Sequence, residues 1–374
     1  MKYYIIAGEA SGDLHGANLM KAIYTEDTNA NIRFWGGNLM QQAGGTIVKH
    51  YKDLAFMGFA EVILNLKTIL KNISFCKQDI LNFKPNAIIF IDYPGFNMRI
   101  AKWAKQQNIA THYYISPQIW AWKENRINAI KRDIEHMYVI LPFEKPYYLE
   151  KHNYKVHFVG HPLLDAIEKR EKTNHEFFVK NNNLKNNKPI IALLPGSRKQ
   201  EIKKKLPLML SIAKDFKDYN FVVAGAPSIS KDFYYNIIKD KNIDIVNNNT
   251  YNLLDVSYAA LVTSGTATLE TALFEVPQVV CYKGNRISYE IAKRIITLKY
   301  ISLVNLIMDK EIVKELIQNN LNYKNLKTEL SKILDNNYRA NLIESYKNLK
   351  EKLGSKGASQ RTAKLIVDTV KKNS

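Results

Sequence analysis

The chain has 374 residues, 46% hydrophobic and 24% charged, with only 16 Gly and 11 Pro; at about 150 residues per domain this suggests two folded domains and excludes a disordered, collagen-like or low-complexity protein. Against 35 Asp and Glu stand 54 Lys and Arg, a formal charge of +19, which favours a polyanionic partner such as nucleic acid or an anionic membrane surface, although a general abundance of Lys, Asn, Ile and Tyr accounts for part of it. No apolar run nears the roughly 20 residues that span a bilayer, so no signal peptide or anchor is expected, and two distant Cys, Cys76 and Cys281, form no disulfide framework and fit a reducing cytosol.

In chain order, short β-type runs alternate with helical ones. Residues 3–7, 32–35, 87–91, 110–115 and 137–141 read as strands, with helices over 12–24, 59–81 and 97–107 between them. Strands separated by helices make a doubly wound parallel sheet. Within the second helix Phe59, Val62, Ile63, Leu66, Ile69 and Leu70 fall on one stripe flanked by Lys67 and Lys71, suited either to a bilayer interface or to packing on the sheet; Leu64 lies off it. Periodicity fails over the polar, Asn-rich residues 169–188, which places a domain boundary there. Strand patterns resume at 190–194, 221–224, 243–246, 260–263 and 278–281, and from about residue 310 the chain reads as mostly helical, with Ala363, Leu365, Ile366 and Val370 as a stripe. The expected domains are 1–168 and 169–350, closed by a segment 351–374. Two α/β sheets imply a cleft at their carboxyl strand edges, where open parallel sheets bind ligands.

Four strand-end loops could carry chemistry. The first strand runs into Gly8-Glu9-Ala10-Ser11-Gly12-Asp13, whose glycines admit a ligand to backbone N–H groups but whose spacing is neither a dinucleotide fingerprint nor a P-loop. Asp92, in Ile91-Asp92-Tyr93-Pro94-Gly95-Phe96-Asn97, is a carboxylate at a buried strand's end and a candidate general base. Pro195-Gly196-Ser197-Arg198 delivers an Arg suited to forked contact with phosphate. Ser264-Gly265-Thr266-Ala267-Thr268-Leu269-Glu270 opens a helix with small residues whose N–H groups would hold a diphosphate, with Glu270 in reach of a ribose. Each has a plain alternative: Ser11 or Asp13 as a helix cap, Asp92 as a cap for the helix after Asn97, Arg198 in a surface salt bridge, Glu270 as a helix-surface acid. His161 reads as a turn residue, Trp120 and Trp122 suit a sugar, an acyl chain or a core, and the His show no metal-ligand spacing, so no metal is expected.

Together GEASGD (8–13), IDYPGFN (91–97), SPQIWAWK (116–123), LPFE (141–144), GHPLLD (160–165), LLPGSR (193–198), SGTATLE (264–270) and VNLI (304–307) resemble, in order along the chain, the lipid-A-disaccharide synthase family of B-type glycosyltransferases. The resemblance implies two Rossmann-like domains, with the final helix returning to the first, and transfer of 2,3-diacylglucosamine from UDP-2,3-diacylglucosamine to 2,3-diacylglucosamine 1-phosphate (lipid X), giving the β-1,6 disaccharide 1-phosphate and UDP. It puts Asp92 at the essential acid, Ser197 and Arg198 at the nucleotide, residues 264–270 at the UDP-binding helix start, Ser11 and Gly12 beside the nucleotide, and Asn305 on the cleft. It implies no cofactor, a cytoplasmic enzyme peripheral to the anionic inner membrane, and is compatible with a homodimer. Family members commonly carry Ala and Asp where this chain has Tyr93 and Gly95, so that loop lacks a second acid, and His15 replaces an expected aliphatic residue. UDP-N-acetylglucosamine 2-epimerases and peptidoglycan-type N-acetylglucosaminyltransferases share the fold and form the alternative. A nucleic-acid role would require an RRM, KH or zinc signature, and none is present.

Overall fold

The computed structural model describes the chain except residues 55–65, 169, 185–186, 239–242, 286–288, 291–297 and 373–374. It divides into two α/β units: Met1–Asp165 with Leu353–Ser374, and Ala166–Lys352.

In the first unit β1 (Lys2–Ala7), β2 (Asn31–Gly36), β3 (Thr46–His50), β4 (Ala87–Ile91), β5 (Ala110–Tyr114), β6 (His136–Val139) and β7 (His157–Phe158) form one parallel sheet, ordered β3-β2-β1-β4-β5-β6-β7. Residues 3–7 and 87–91 are fully buried, because helices cover both faces of a parallel sheet; that is why those strands are unbroken apolar runs. Strand order reverses between β1 and β4, and the pairing of Ala7 with Ile91 brings their carboxyl ends level. Ligands collect at such a reversal, where the flanking loops diverge.

The C-terminal helix, Ala358–Lys372, packs on the first helix, Ala10–Glu26, burying Ala363, Ile366 and Val370. Asp165 fastens its start, accepting from the backbone N–H of Gly357 at 2.5 Å and of Ser359 at 3.4 Å, while Arg361 donates to the Val159 carbonyl at 2.9 and 2.7 Å. Most of the apolar stripe expected from Phe59 to Leu70 lies outside the described residues. Of its side chains that are described, Ile69 packs on the core and Leu70 is exposed. Farther along that helix Ile73, Cys76 and Ile80 face the core. No helix among the described residues is long and apolar enough to cross a membrane.

In the second unit β8 (Ile190–Leu194), β9 (Asn220–Gly225), β10 (Asp244–Asn247), β11 (Ser257–Thr263), β12 (Gln278–Tyr282) and β13 (Lys314–Ile317) are parallel in the order β10-β9-β8-β11-β12-β13. The reversal falls between β8 and β11, paired from Ser257 with Ile190 to Val262 with Leu194. Beyond residue 310 the chain is mostly helical, as expected, with the addition of β13, a short edge strand too polar to stand out.

Candidate functional site

Both reversals carry the expected loops. In the first unit, Gly8 is required by packing. A Cβ there would lie 2.3 to 2.6 Å from the Tyr93 ring, which covers Gly8 and stacks on Phe96. Helix Ala10–Glu26 begins without a side-chain cap; Ser11 is exposed on its first turn, and Gly12 lies against Ala7, to whose Cβ an added Cβ would be 3.2 Å. Asp13 is a cap, but for another helix. Its carboxylate accepts from the backbone N–H groups of Gly37, Leu39 and Met40 at 2.7, 3.1 and 3.0 Å, satisfying the start of helix Asn38–Ala43.

Asp92 leaves β4 with φ +45° and Tyr93 follows with φ +48°, a left-handed pair that costs non-glycine residues about 1–3 kcal/mol each. Three hydrogen bonds hold it there. The Asp92 carbonyl accepts from the Tyr113 hydroxyl at 2.6 Å and from Asn97 Nδ2 at 2.7 Å, and its N–H donates to the Tyr114 carbonyl at 3.1 Å. The N-cap of the helix that follows is Tyr93, whose side chain makes no cap, and the Tyr93 backbone N–H favours the ionised Asp92 carboxylate. Burial, reinforced by the charge of Glu9 at the neighbouring strand end, pushes its carboxyl up to about 6. Glu9 was not singled out from the sequence; only the β1–β4 pairing brings it beside Asp92.

In the second unit the loops after β8, β9 and β11 enclose a cavity of about 450 Å³. Ser197, Arg198, Ser264, Gly265, Thr266, Ala267 and Glu270 all line it, and so do Glu201, Thr250, Thr263 and the loop from Ala224 to Pro227. Gly196 (φ +114°) makes the first turn; a Cβ would lie 2.5 Å from Glu201. Gly265 (φ +138°) stands in open space at the start of helix Thr266–Leu273, whose first N–H groups have no partner within the helix. Arg198 is exposed and pairs with Glu201, Nη1 to Oε1 at 3.1 Å. Ser264 donates to the Ile301 carbonyl at 2.9 Å, and Tyr251 donates to Glu270 at 2.9 Å, so Glu270 is a held, inward-facing acid whose carboxyl burial pushes up.

Two expected site residues are placed otherwise. Asn305 is fully buried; its amide donates to the Val313 carbonyl and to Glu315 at 2.8 and 2.9 Å, and its oxygen accepts from the N–H groups of Ile312 and Val313 at 2.8 and 2.9 Å. All its polar capacity goes into fastening the turn before β13, leaving none for a ligand. Thr268 is also fully buried and returns its hydroxyl to the Gly265 carbonyl at 2.8 Å, shaping the helix start from behind.

The model of the lipid-A-disaccharide synthetase family matches residues 3–370. The chain belongs to that family. It is 37% identical over 382 residues to the lipid-A-disaccharide synthase of Syntrophus aciditrophicus, covering 99% of this chain and 98% of the relative. With the synthase of Coxiella burnetii (strain CbuG_Q212) it shares 36% over 367 residues, 97% and 96% of the two chains. Among solved structures, the UDP-GlcNAc 2-epimerase of Neisseria meningitidis bound to UDP-GlcNAc superposes with a TM-score of 0.65 at 15% identity, covering all of both chains. That likeness shows the shared two-sheet fold alone.

Other stretches of resemblance to the synthase family are structural partners of one another. Glu144 of LPFE is buried and accepts from Ser116 Oγ at 2.6 Å, Trp120 Nε1 at 3.2 Å and the N–H groups of Ile140 and Leu141 at 3.2 and 2.8 Å. It thereby fixes the SPQIWAWK loop, which leaves Trp122 exposed under Lys123 and Arg126. GHPLLD supplies the Asp165 anchor described above.

Proposed function

We propose that the protein transfers 2,3-diacylglucosamine from UDP-2,3-diacylglucosamine to lipid X, forming the β-1,6 disaccharide 1-phosphate and releasing UDP. The acceptor hydroxyl must lose a proton as the glycosidic bond forms, and the diphosphate must gain charge as it leaves. Asp92 takes the proton. A carboxyl raised by burial to about 6 is a stronger base than an ordinary one yet remains ionised at neutral pH; the match to the synthase family over residues 3–370 carries the reading. Arg198 and the N–H groups after Gly265 stabilise the leaving UDP, and Glu270 holds its ribose. In this scheme the cation and the helix start do what a divalent metal does in other nucleotide-sugar enzymes. Incubation with both substrates and mass spectrometry tests it: disaccharide and UDP in equal amounts are expected, whereas no disaccharide there, together with conversion of separately supplied UDP-N-acetylglucosamine to its 2-epimer followed by NMR, would transfer the chain to the alternative reading.

The substrates' acyl chains resist transfer to water by roughly 0.8 kcal/mol per CH₂, so we place the enzyme on the anionic inner-membrane surface. The +19 charge supports this, at about 1 kcal/mol per basic residue close to the surface. Sedimentation with anionic vesicles at low salt, released at high salt, is the expected behaviour.

A further inference from the structure

Directly behind the cavity of the second unit lies a lysine that the scheme above does not use. Helix Lys199–Ser211 places Arg198, Glu201 and Lys205 on one face, three and four residues apart. Lys205 is only 3% exposed. Its ammonium donates to Thr263 Oγ1 and stands 3.5 Å from Glu201 Oε2, while the other Glu201 oxygen faces Arg198. A Cβ added to Gly196 would come within 3.6 Å of Lys205 Nζ, so the ammonium sits just under the Pro195-Gly196-Ser197 turn. Thr263 and Glu201 line the cavity and Lys205 does not.

An ammonium is expensive to desolvate and persists in such a place when its partners compensate it. Here the partners are groups facing the ligand. Because Thr263 Oγ1 accepts from Lys205, its own hydrogen is left to donate toward the cavity. Because Glu201 is shared between two cations, Arg198 can exchange it for a phosphate without stranding a bare carboxylate beside the incoming anion. We propose that Lys205 is a positioning residue for the diphosphate, holding Glu201 back and the Thr263 hydroxyl forward from behind the cavity floor. This rests on the reading of the cavity as the nucleotide site.

The test compares UDP with uridine, which lacks the phosphates, by calorimetry on the full chain. Wild type is expected to bind UDP; failure to do so would remove the nucleotide reading itself and this inference with it. Given that binding, Lys205→Met should weaken UDP about tenfold or more and uridine less than twofold. Adding Glu201→Gln should restore most of the loss, since the stranded carboxylate is then gone. Equal losses for UDP and uridine, or no rescue by Glu201→Gln, would reduce Lys205 to a packing element. Should Lys205→Met not fold, the nearly isosteric Thr263→Val decides: a severalfold loss for UDP alone supports the proposal, and unchanged UDP affinity overturns it.

Discussion

The two units share one strand order about their reversals, yet the loops at those reversals have opposite characters. At the ends of β1 and β4 stand two carboxylates, Glu9 and Asp92, in a strained and half-buried turn. At the ends of β8 and β11 stand Arg198, Lys205 and a helix start, about a cavity. Topology supplies a place where loops diverge and backbone groups are available; the side chains set its charge, acidic at the first reversal and basic at the second, which is what the proposed division between proton acceptor and anion site rests on.

The largest test of that contrast is Asp92→Asn. Loss of a general base costs about 10²- to 10⁴-fold in rate, so turnover should collapse while UDP affinity stays nearly intact; near-normal turnover in a folded variant would end its assignment as base. Arg198→Ala should do the reverse. Losing a charge-assisted hydrogen bond of roughly 1.5–3 kcal/mol weakens UDP by about one to two decades, and EDTA should leave the wild-type rate unchanged. Activity lost to chelation and restored by magnesium would replace Arg198 as the main counter-charge.

Acid should also separate the units. Burial holds His15 down to about 4 and His112 and His161 down to about 3, against about 6.5 unfolded, and all three belong to the first unit. The unfolded chain therefore takes up protons first as pH falls. Stability is complete above about pH 6.5 and declines toward pH 4 for His15 and pH 3 for His112 and His161, by about 2 kcal/mol per histidine at pH 5. Hydrogen exchange at pH 5 should show the first unit losing protection relative to pH 7.5 more than the second, with His15→Leu reducing the difference; equal losses would place the acid sensitivity elsewhere. The smallest effect concerns Glu9→Gln. Removing the negative charge that helps to raise Asp92 should move the acid limb of kcat/KM to lower pH, by less than about one unit because burial is the larger cause. An unmoved limb would show that the two acids do not couple in the working enzyme.

Among the described residues ten strands were legible: nine are inner strands, which are buried on both faces and read as apolar runs, and the tenth is β10 at a sheet edge. The three that were not, β3, β7 and β13, all lie at sheet edges, where one side faces solvent and the pattern dilutes. The loops were legible because small residues at a strand end contrast with the apolar run before them, as Gly8, Gly196 and Gly265 do. The roles of polar residues were less legible. Asn305 and Thr268 share the composition of a site but spend their hydrogen bonds on the backbone around it, and Asp13 caps a helix distant in sequence rather than its own.

The sequence by itself determined the alternation of strands and helices, the family and the loops that stand at the strand-order reversals, because these depend on local periodicity and on residue type at a strand end. Only the tertiary structure decided which charges meet. Glu9 beside Asp92, Lys205 under Thr263, and Tyr93 over Gly8 are encounters between residues on different strands and loops, set by sheet register and side-chain packing. Electrostatic influence depends on separation in space and on burial, and neither quantity is written along the chain.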